Sequence, residues 1–335
     1  MDTLTHIVLG SCMGEATAGK ILGKRAMLLG VAAQSIPDID FIAYLWLTKT
    51  ENLLGHRGFT HSIFFAVIIT IAMAIFFTWY FRRRKVLRKT LILLFGINIF
   101  THLFFDCFNA YGVGLLEPFH HARISLHVLY VADPFFSVWS FLAFFFLLIT
   151  RLSHQKRKII WQTGIGMSFI YLLYAFSNKW EVQKDLRADL RSRKLVYEEF
   201  FTTPTPLNSW LWFVVIKDRN GYYTGYRSVF DQQPTELHYF PRNDSLLLKV
   251  KEQEDVKNLI RFAQGYYTVE WWSDSIAFNV LRFGQVVGWH DPTAKFAFHF
   301  LLDHPDANHM LLQRGRFQSW DRQAFRSFLR RIEGW

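Results

Sequence analysis

Four long apolar stretches, Ser62–Phe81, Thr90–Phe108, Pro134–Thr150 and Ile159–Phe176, constrain this chain of 335 residues more than any other feature. Crossing the hydrocarbon core of a bilayer as a helix takes roughly 17–25 apolar residues. Within lipid, a helix is the one open element that satisfies its own backbone hydrogen bonds. Two shorter stretches, Leu4–Gly19 and Ala26–Ile36, contain Gly and Ser and are expected to pack against the other segments rather than face lipid. The first half therefore reads as an all-α polytopic membrane bundle of about four to six segments. A composition of 51% hydrophobic, 18% aromatic and 19% charged residues agrees with this. The N-terminal Met1-Asp2-Thr3-Leu4-Thr5-His6 has neither the basic region nor the cleavage site of a signal peptide and is expected to be retained. Cys12 and Cys107 both lie in apolar segments, which predicts small core residues rather than a disulfide.

After Phe176 the pattern changes. Charges alternate over Trp180–Phe200 with Leu186, Leu190 and Leu195 at near-helical spacing, predicting an amphipathic helix that leaves the membrane. Asn220-Gly221 between strand-like runs predicts a hairpin, further strands are expected at Tyr266–Trp272, Ile276–Phe283 and Phe296–Leu302, and Trp320, Phe325, Phe328 and Leu329 mark a closing helix. The expected organisation is a membrane domain over residues 1–176 and a smaller soluble α+β domain over 177–335.

The net charge is +11, and its distribution suggests a topology. Residues 1–176 hold 16 Lys/Arg against 8 Asp/Glu. Most of these cations fall in three clusters: Lys20, Lys24 and Arg25; Arg82, Arg83, Arg84, Lys85, Arg88 and Lys89; and Arg151, Lys156, Arg157 and Lys158. Short basic loops stay on the cytoplasmic side. The clusters follow the first, third and fifth segments, so the acidic and histidine-bearing stretches are expected at the opposite, extracytoplasmic face of the membrane, together with the C-terminal domain. The basic stretches flank membrane segments and carry no nucleic-acid-binding signature.

Those stretches supply the candidate chemistry. In "FTHLFFDCFNAYG", His102 and Asp106 are four apart and share a helical face. They suit half a metal site or a structural hydrogen bond. In "SIPDID", Asp38 and Asp40 follow a chain-turning proline. Either carboxylate is a candidate ligand, general base or second-layer acceptor for an imidazole, and an Asp at such a break also suits a helix cap. In "HRGFTHS", His56 and His61 flank Gly58, where a bent backbone is expected, and Thr60 or Ser62 is placed to cap the next helix. Arg57 is a candidate bidentate partner for a phosphate. His6 and Asp133 complete the set. The expected metal ligands are His6, Asp38, His56, His61, His102 and Asp106, and the expected catalytic groups Asp38, Asp40 and Arg57. Mixed imidazole and carboxylate donors favour zinc, with manganese or magnesium as alternatives.

The ordered motifs "DTLTH", "PDID", "HRGFTHS", "HLFFDCFNAYG" and "ADP" make residues 1–150 resemble the YdjM-like family of predicted membrane-bound metal-dependent hydrolases. The resemblance implies an inner-membrane protein with a metal site and an inferred hydrolase activity, its motif positions falling on Asp2, His6, Asp38, Asp40, His56, His61, His102, Asp106 and Asp133. It also implies an acidic residue near the position held here by His127. The expectation is an integral membrane hydrolase in which metal-activated water attacks an ester, such as a phosphoester of a lipid or lipid-linked substrate. The alternatives are a protein that binds or transports the metal without catalysis, and a polar clasp between helices.

The topology is checked by cysteine accessibility labelling. A thiol introduced at Thr50 should react with an impermeant reagent from outside the cell and one at Lys85 should not; the reverse pattern inverts the placement.

Overall fold

A computed structural model describes residues 1–84, 86–149, 153–250, 253–303 and 320–335. Lys85, Thr150, Arg151, His304 and His309 lie outside the described residues. The chain divides into two compact units, one of residues 1–46 and 55–174 and one of residues 47–54 and 175–335.

The first unit is helical. It contains α1 (Thr3–Leu22), α2 (Lys24–Ser35), α4 (Ile63–Tyr80), α5 (Arg88–Asp106), α6 (Pro134–Ile149) and the first part of α7 (His154–Ser192); a short α3 (Lys49–Gly55) lies between α2 and α4. Among the described residues, α4, α5 and α7 are long and apolar enough to cross a membrane. A fourth span results if α2 and the 3-10 turn Pro37–Leu45, bent by 51° at their junction, count as one. α6 is apolar but has only 16 residues. The segments expected at Ile159–Phe176 and Trp180–Phe200 form one helix that ends at Ser192, and Phe200 lies in a strand. No proline or glycine falls between Phe176 and Ser192 to separate them.

Small residues let α1 and α2 meet backbone to backbone. A Cβ built on Gly14 would fall 2.1 Å from the Ala26 carbonyl oxygen, and one on Gly30 only 2.0 Å from that of Gly10. Such contact substitutes for the hydrophobic drive that lipid does not provide between helices. Glu15, 2% exposed, takes a fork from Arg157, with Nε at 2.8 Å and one terminal nitrogen at 2.7 Å. Both cysteines are buried thiols.

Caps fix the helix entries. Asp2 accepts from the Thr5 amide at 3.0 Å and starts α1. Ser62 accepts from the Phe65 amide at 3.0 Å and starts α4. Asp133 Oδ1 accepts from the Phe135 and Phe136 amides at 2.9 and 3.3 Å at the start of α6, and its Oδ2 accepts from the Tyr171 hydroxyl at 2.9 Å.

The second unit contains two antiparallel sheets. One has the order β1–β2–β3–β4, with β1 Glu199–Pro204, β2 Leu211–Lys217, β3 Gly221–Ser228 and β4 His238–Pro241. The other has the order β5–β6–β7, with β5 Tyr267–Trp272, β6 Ser275–Gln285 and β7 Phe296–Leu301. The expected hairpin joins β2 to β3, closed by the Asp218 amide on the Gly221 carbonyl at 2.9 Å. The rest of α7, with Leu186 and Leu190 packed on Val214 and Ile216, most of α3, and the helices α8 (Gln253–Ala263) and α9 (Arg322–Ile332) complete the unit. The core around Phe213, Tyr222, Leu281 and Phe296 also holds Phe328 of α9.

Asp133 provides a test of the capping. Replacing it with Ala should lower stability by about 1–2 kcal/mol through loss of the cap, whereas Asn, which keeps an acceptor for the same amides, should cost only a few tenths. Thermal unfolding of the detergent-solubilised variants reads the difference.

Candidate metal centre

Four donors from three separate stretches converge in the first unit. Pro37 ends α2 and opens the 3-10 turn with Asp38 and Asp40 in its first turn. His61 closes a second short 3-10 turn, Phe59–His61. His102 and Asp106 lie one helical turn apart at the end of α5. His61 Nε2 is 3.4 Å from Asp38 Oδ1 and 3.5 Å from Asp106 Oδ2; His102 Nε2 is 3.6 and 3.5 Å from the same two atoms. The two Nε2 atoms are 3.1 Å apart. Donors about 2.1 Å from a tetrahedral ion are separated by about 3.4 Å, so the group matches the dimensions of a zinc-sized cation. Among the described residues it is the one group of His, Cys, Asp or Glu able to hold a metal ion.

The chemistry of the donors fits a cation as well. Asp106 is 0% exposed and its Oδ2 has no hydrogen-bond partner. His102 Nδ1 donates to the Gln34 carbonyl at 2.6 Å, which turns the lone pair on Nε2 toward the cluster. His61 Nδ1 lies 3.1 Å from Thr60 Oγ1 and 3.6 Å from Asp40 Oδ2. Burial holds the His61 imidazole well below its usual pKa, and hence neutral. Two buried lone pairs and two carboxylate oxygens facing one point repel one another, and a divalent ion there removes the repulsion.

The remaining candidates surround this group. Asp40 accepts from the Arg57 amide at 2.7 Å and lies 3.3 Å from His56 Nδ1, so it stands behind His61 rather than among the four donors. The His56 side chain is 38% exposed; it contacts Asp40 and sets its ring edge-on to that of His61, with centroids 6.4 Å apart. His6 Nε2 is 3.2 Å from Asp106 Oδ1, its Nδ1 is 3.1 Å from Gln34 Oε1, and its ring stacks on His102 with centroids 3.7 Å apart. The Met1 amino group also contacts Asp106 Oδ1. The bend in "HRGFTHS" falls on Arg57, at φ 58°, and not on Gly58, at φ −88°. That left-handed backbone turns the guanidinium inward. It donates to Asn109 Oδ1 at 2.8 Å and to the Met1 carbonyl at 2.9 Å, and its Nε lies 3.2 Å from Asp106 Oδ2. At 3% exposure, Arg57 directs its guanidinium to these protein groups. His127 is buried with φ 49° and is outside the four-donor group, as are the capping residues Asp2 and Asp133.

Gln34 and Asn109 had no signal in the sequence, because an amide on an apolar segment has no ligand spacing. In the second unit, His290, Asp291, His299 and Asp303 form no metal-holding group among the described residues.

A family model described as YdjM inner membrane protein matches residues 1–182, more than half of the chain. The chain is 27% identical over 243 residues to "Uncharacterized protein YfhP" of Bacillus subtilis, covering 67% of this chain and 68% of the relative. It is 28% identical over 122 residues to "Inner membrane protein YbcI" of Escherichia coli, covering 36% of this chain and 69% of the relative. No solved structure matches.

The geometry separates the histidines experimentally. Elemental mass spectrometry of the purified protein should find a bound divalent metal that is lost in His61→Ala and His102→Ala and retained in His56→Ala. Asp40→Asn should keep the site but weaken it by about 10–100-fold, the usual effect of removing a carboxylate behind a ligating imidazole, as read by chelator competition.

Proposed function

We infer, from the premise that the chain belongs to the YdjM inner membrane protein family, that it is a membrane-bound metal-dependent hydrolase. Asp38, His61, His102 and Asp106 hold the ion, zinc first and manganese or magnesium as alternatives. The observation that carries this reading is the spacing of their donor atoms, 3.1–3.6 Å across five measured pairs. A divalent ion in such a place supplies Lewis acidity and a nucleophilic water at neutral pH.

The chain's own residues divide the remaining work. Asp106, His61 and His102 are fully buried, while the Asp38 side chain is 24% exposed. Substrate therefore approaches from the Asp38 side, where Asp38 is also the carboxylate best placed to take a proton. Asp40 orients His61, and Arg57 balances Asp106. Ile39, Phe41, Ile42, Leu45 and Trp46 beside that opening are all exposed, which favours an amphiphilic ester, such as a phosphoester of a lipid or lipid-linked molecule, over a small polar one. The basic loops favour an extracytoplasmic site in the inner membrane.

One feature favours a second reading, a protein that binds or carries the metal without turnover. Four protein donors complete a tetrahedron, as in closed structural sites, whereas catalytic zinc keeps a position open.

The two readings part in one assay. Reconstituted protein should hydrolyse a member of a phosphoester and carboxylester lipid panel. Chelation should abolish the activity, zinc should restore it, and Asp38→Asn should reduce it by at least about 100-fold. A fully metallated, folded protein that turns over none of the panel overturns the hydrolase in favour of the carrier.

A further inference from the structure

Helix α9 carries a face that the core of its unit does not use. Ala324 and Phe328 are buried, and Arg331 is forked onto Asp231 at 2.5 and 2.7 Å. The opposite side presents Arg322, Arg326 and Arg330, all exposed. At four-residue spacing they form a row about 12 Å long. With His290, Gln323 and Ser327 they line a shallow concavity of about 570 Å³. Among the described residues, the ion pair of this helix belongs to Arg331; the three arginines of the row have no carboxylate partner there. Of the acidic groups at the helix ends, Asp321 is occupied in capping the Ala324 amide at 2.7 Å, and Glu333 follows the last turn.

Beside the row, on the same exposed side, stand Phe325, 47% exposed, and Leu329, 45% exposed. A soluble polyanion would be served by the guanidiniums alone and would leave these two side chains in water. A bilayer surface uses both: guanidiniums fork onto lipid phosphates, and the apolar side chains enter the acyl boundary. The chain is itself anchored in a membrane, so a lipid surface is always within its reach.

We propose that the exposed face of α9, with Arg322, Arg326 and Arg330 flanked by Phe325 and Leu329, docks on the surface of an anionic phospholipid bilayer. Each arginine near such a surface contributes about a fivefold gain in occupancy, and the attraction weakens with salt.

The test uses the full chain in nanodiscs. Cys12 and Cys107 are buried, so Gln323→Cys offers a selective site for an environment-sensitive fluorophore. In bilayers of phosphatidylcholine mixed with phosphatidylglycerol the label should shift to the blue and be quenched by doxyl-labelled lipid. In phosphatidylcholine alone it should not. Arg326→Gln together with Arg330→Gln should abolish the shift while leaving thermal unfolding unchanged, and Phe325→Ser should weaken it. Emission of a folded protein that stays water-like in phosphatidylglycerol membranes overturns the proposal. So does equal quenching in phosphatidylcholine, or an equal shift produced by soluble pyrophosphate without anionic lipid.

Discussion

A carboxylate sealed inside an apolar bundle is costly unless a cation meets it, and the first unit is organised around meeting that cost at Asp106. Arg57 reaches it from one side, His6 from another, and Asp106 Oδ2 is left facing two imidazole nitrogens. Positioning Arg57 requires a left-handed residue in "HRGFTHS", and Asp40 on the neighbouring turn stabilises that residue by accepting its amide. Positioning His102 requires a backbone carbonyl, which Gln34 supplies near the end of α2. The break after α2, the bend before α4 and the end of α5 are thus parts of one electrostatic arrangement.

Much of this was legible in the sequence because it follows short periods. His102 and Asp106 share a face through four-residue spacing, Pro37 marks the break before Asp38 and Asp40, and Ser62 caps where expected. What the sequence could not resolve were choices among chemically equal neighbours. His56 and His61 lie in the same seven residues, yet one is sealed against His102 and the other is more than a third exposed. His6 carries the same imidazole, but its helix delivers the ring to the back of His102 as a stacking partner. The sequence divides α7 into two segments because its composition changes from apolar to charged, although no residue there interrupts the backbone.

In the second unit, strand positions followed from alternation and the hairpin from Asn220-Gly221. Division into two sheets did not, since pairing partners are a long-range choice among several runs of similar hydrophobicity. The closing helix shows the same limit. Its apolar stripe was plain, but only the packing of Phe328 reveals that Phe325 and Leu329 lie outside the core.

The glycine contact between α1 and α2 has a kinetic meaning. With carbonyl oxygens of each helix set against glycines of the other, no layer of flexible side chains lies between them to absorb displacement. The His6 ring and the Gln34 carbonyl, which both contact His102, are therefore carried by one closely packed helix pair, with the turn bearing Asp38 bent by 51° at its end. Of the four donors Asp38 alone is partly exposed, so an ion held there would exchange with the surroundings past that single turn.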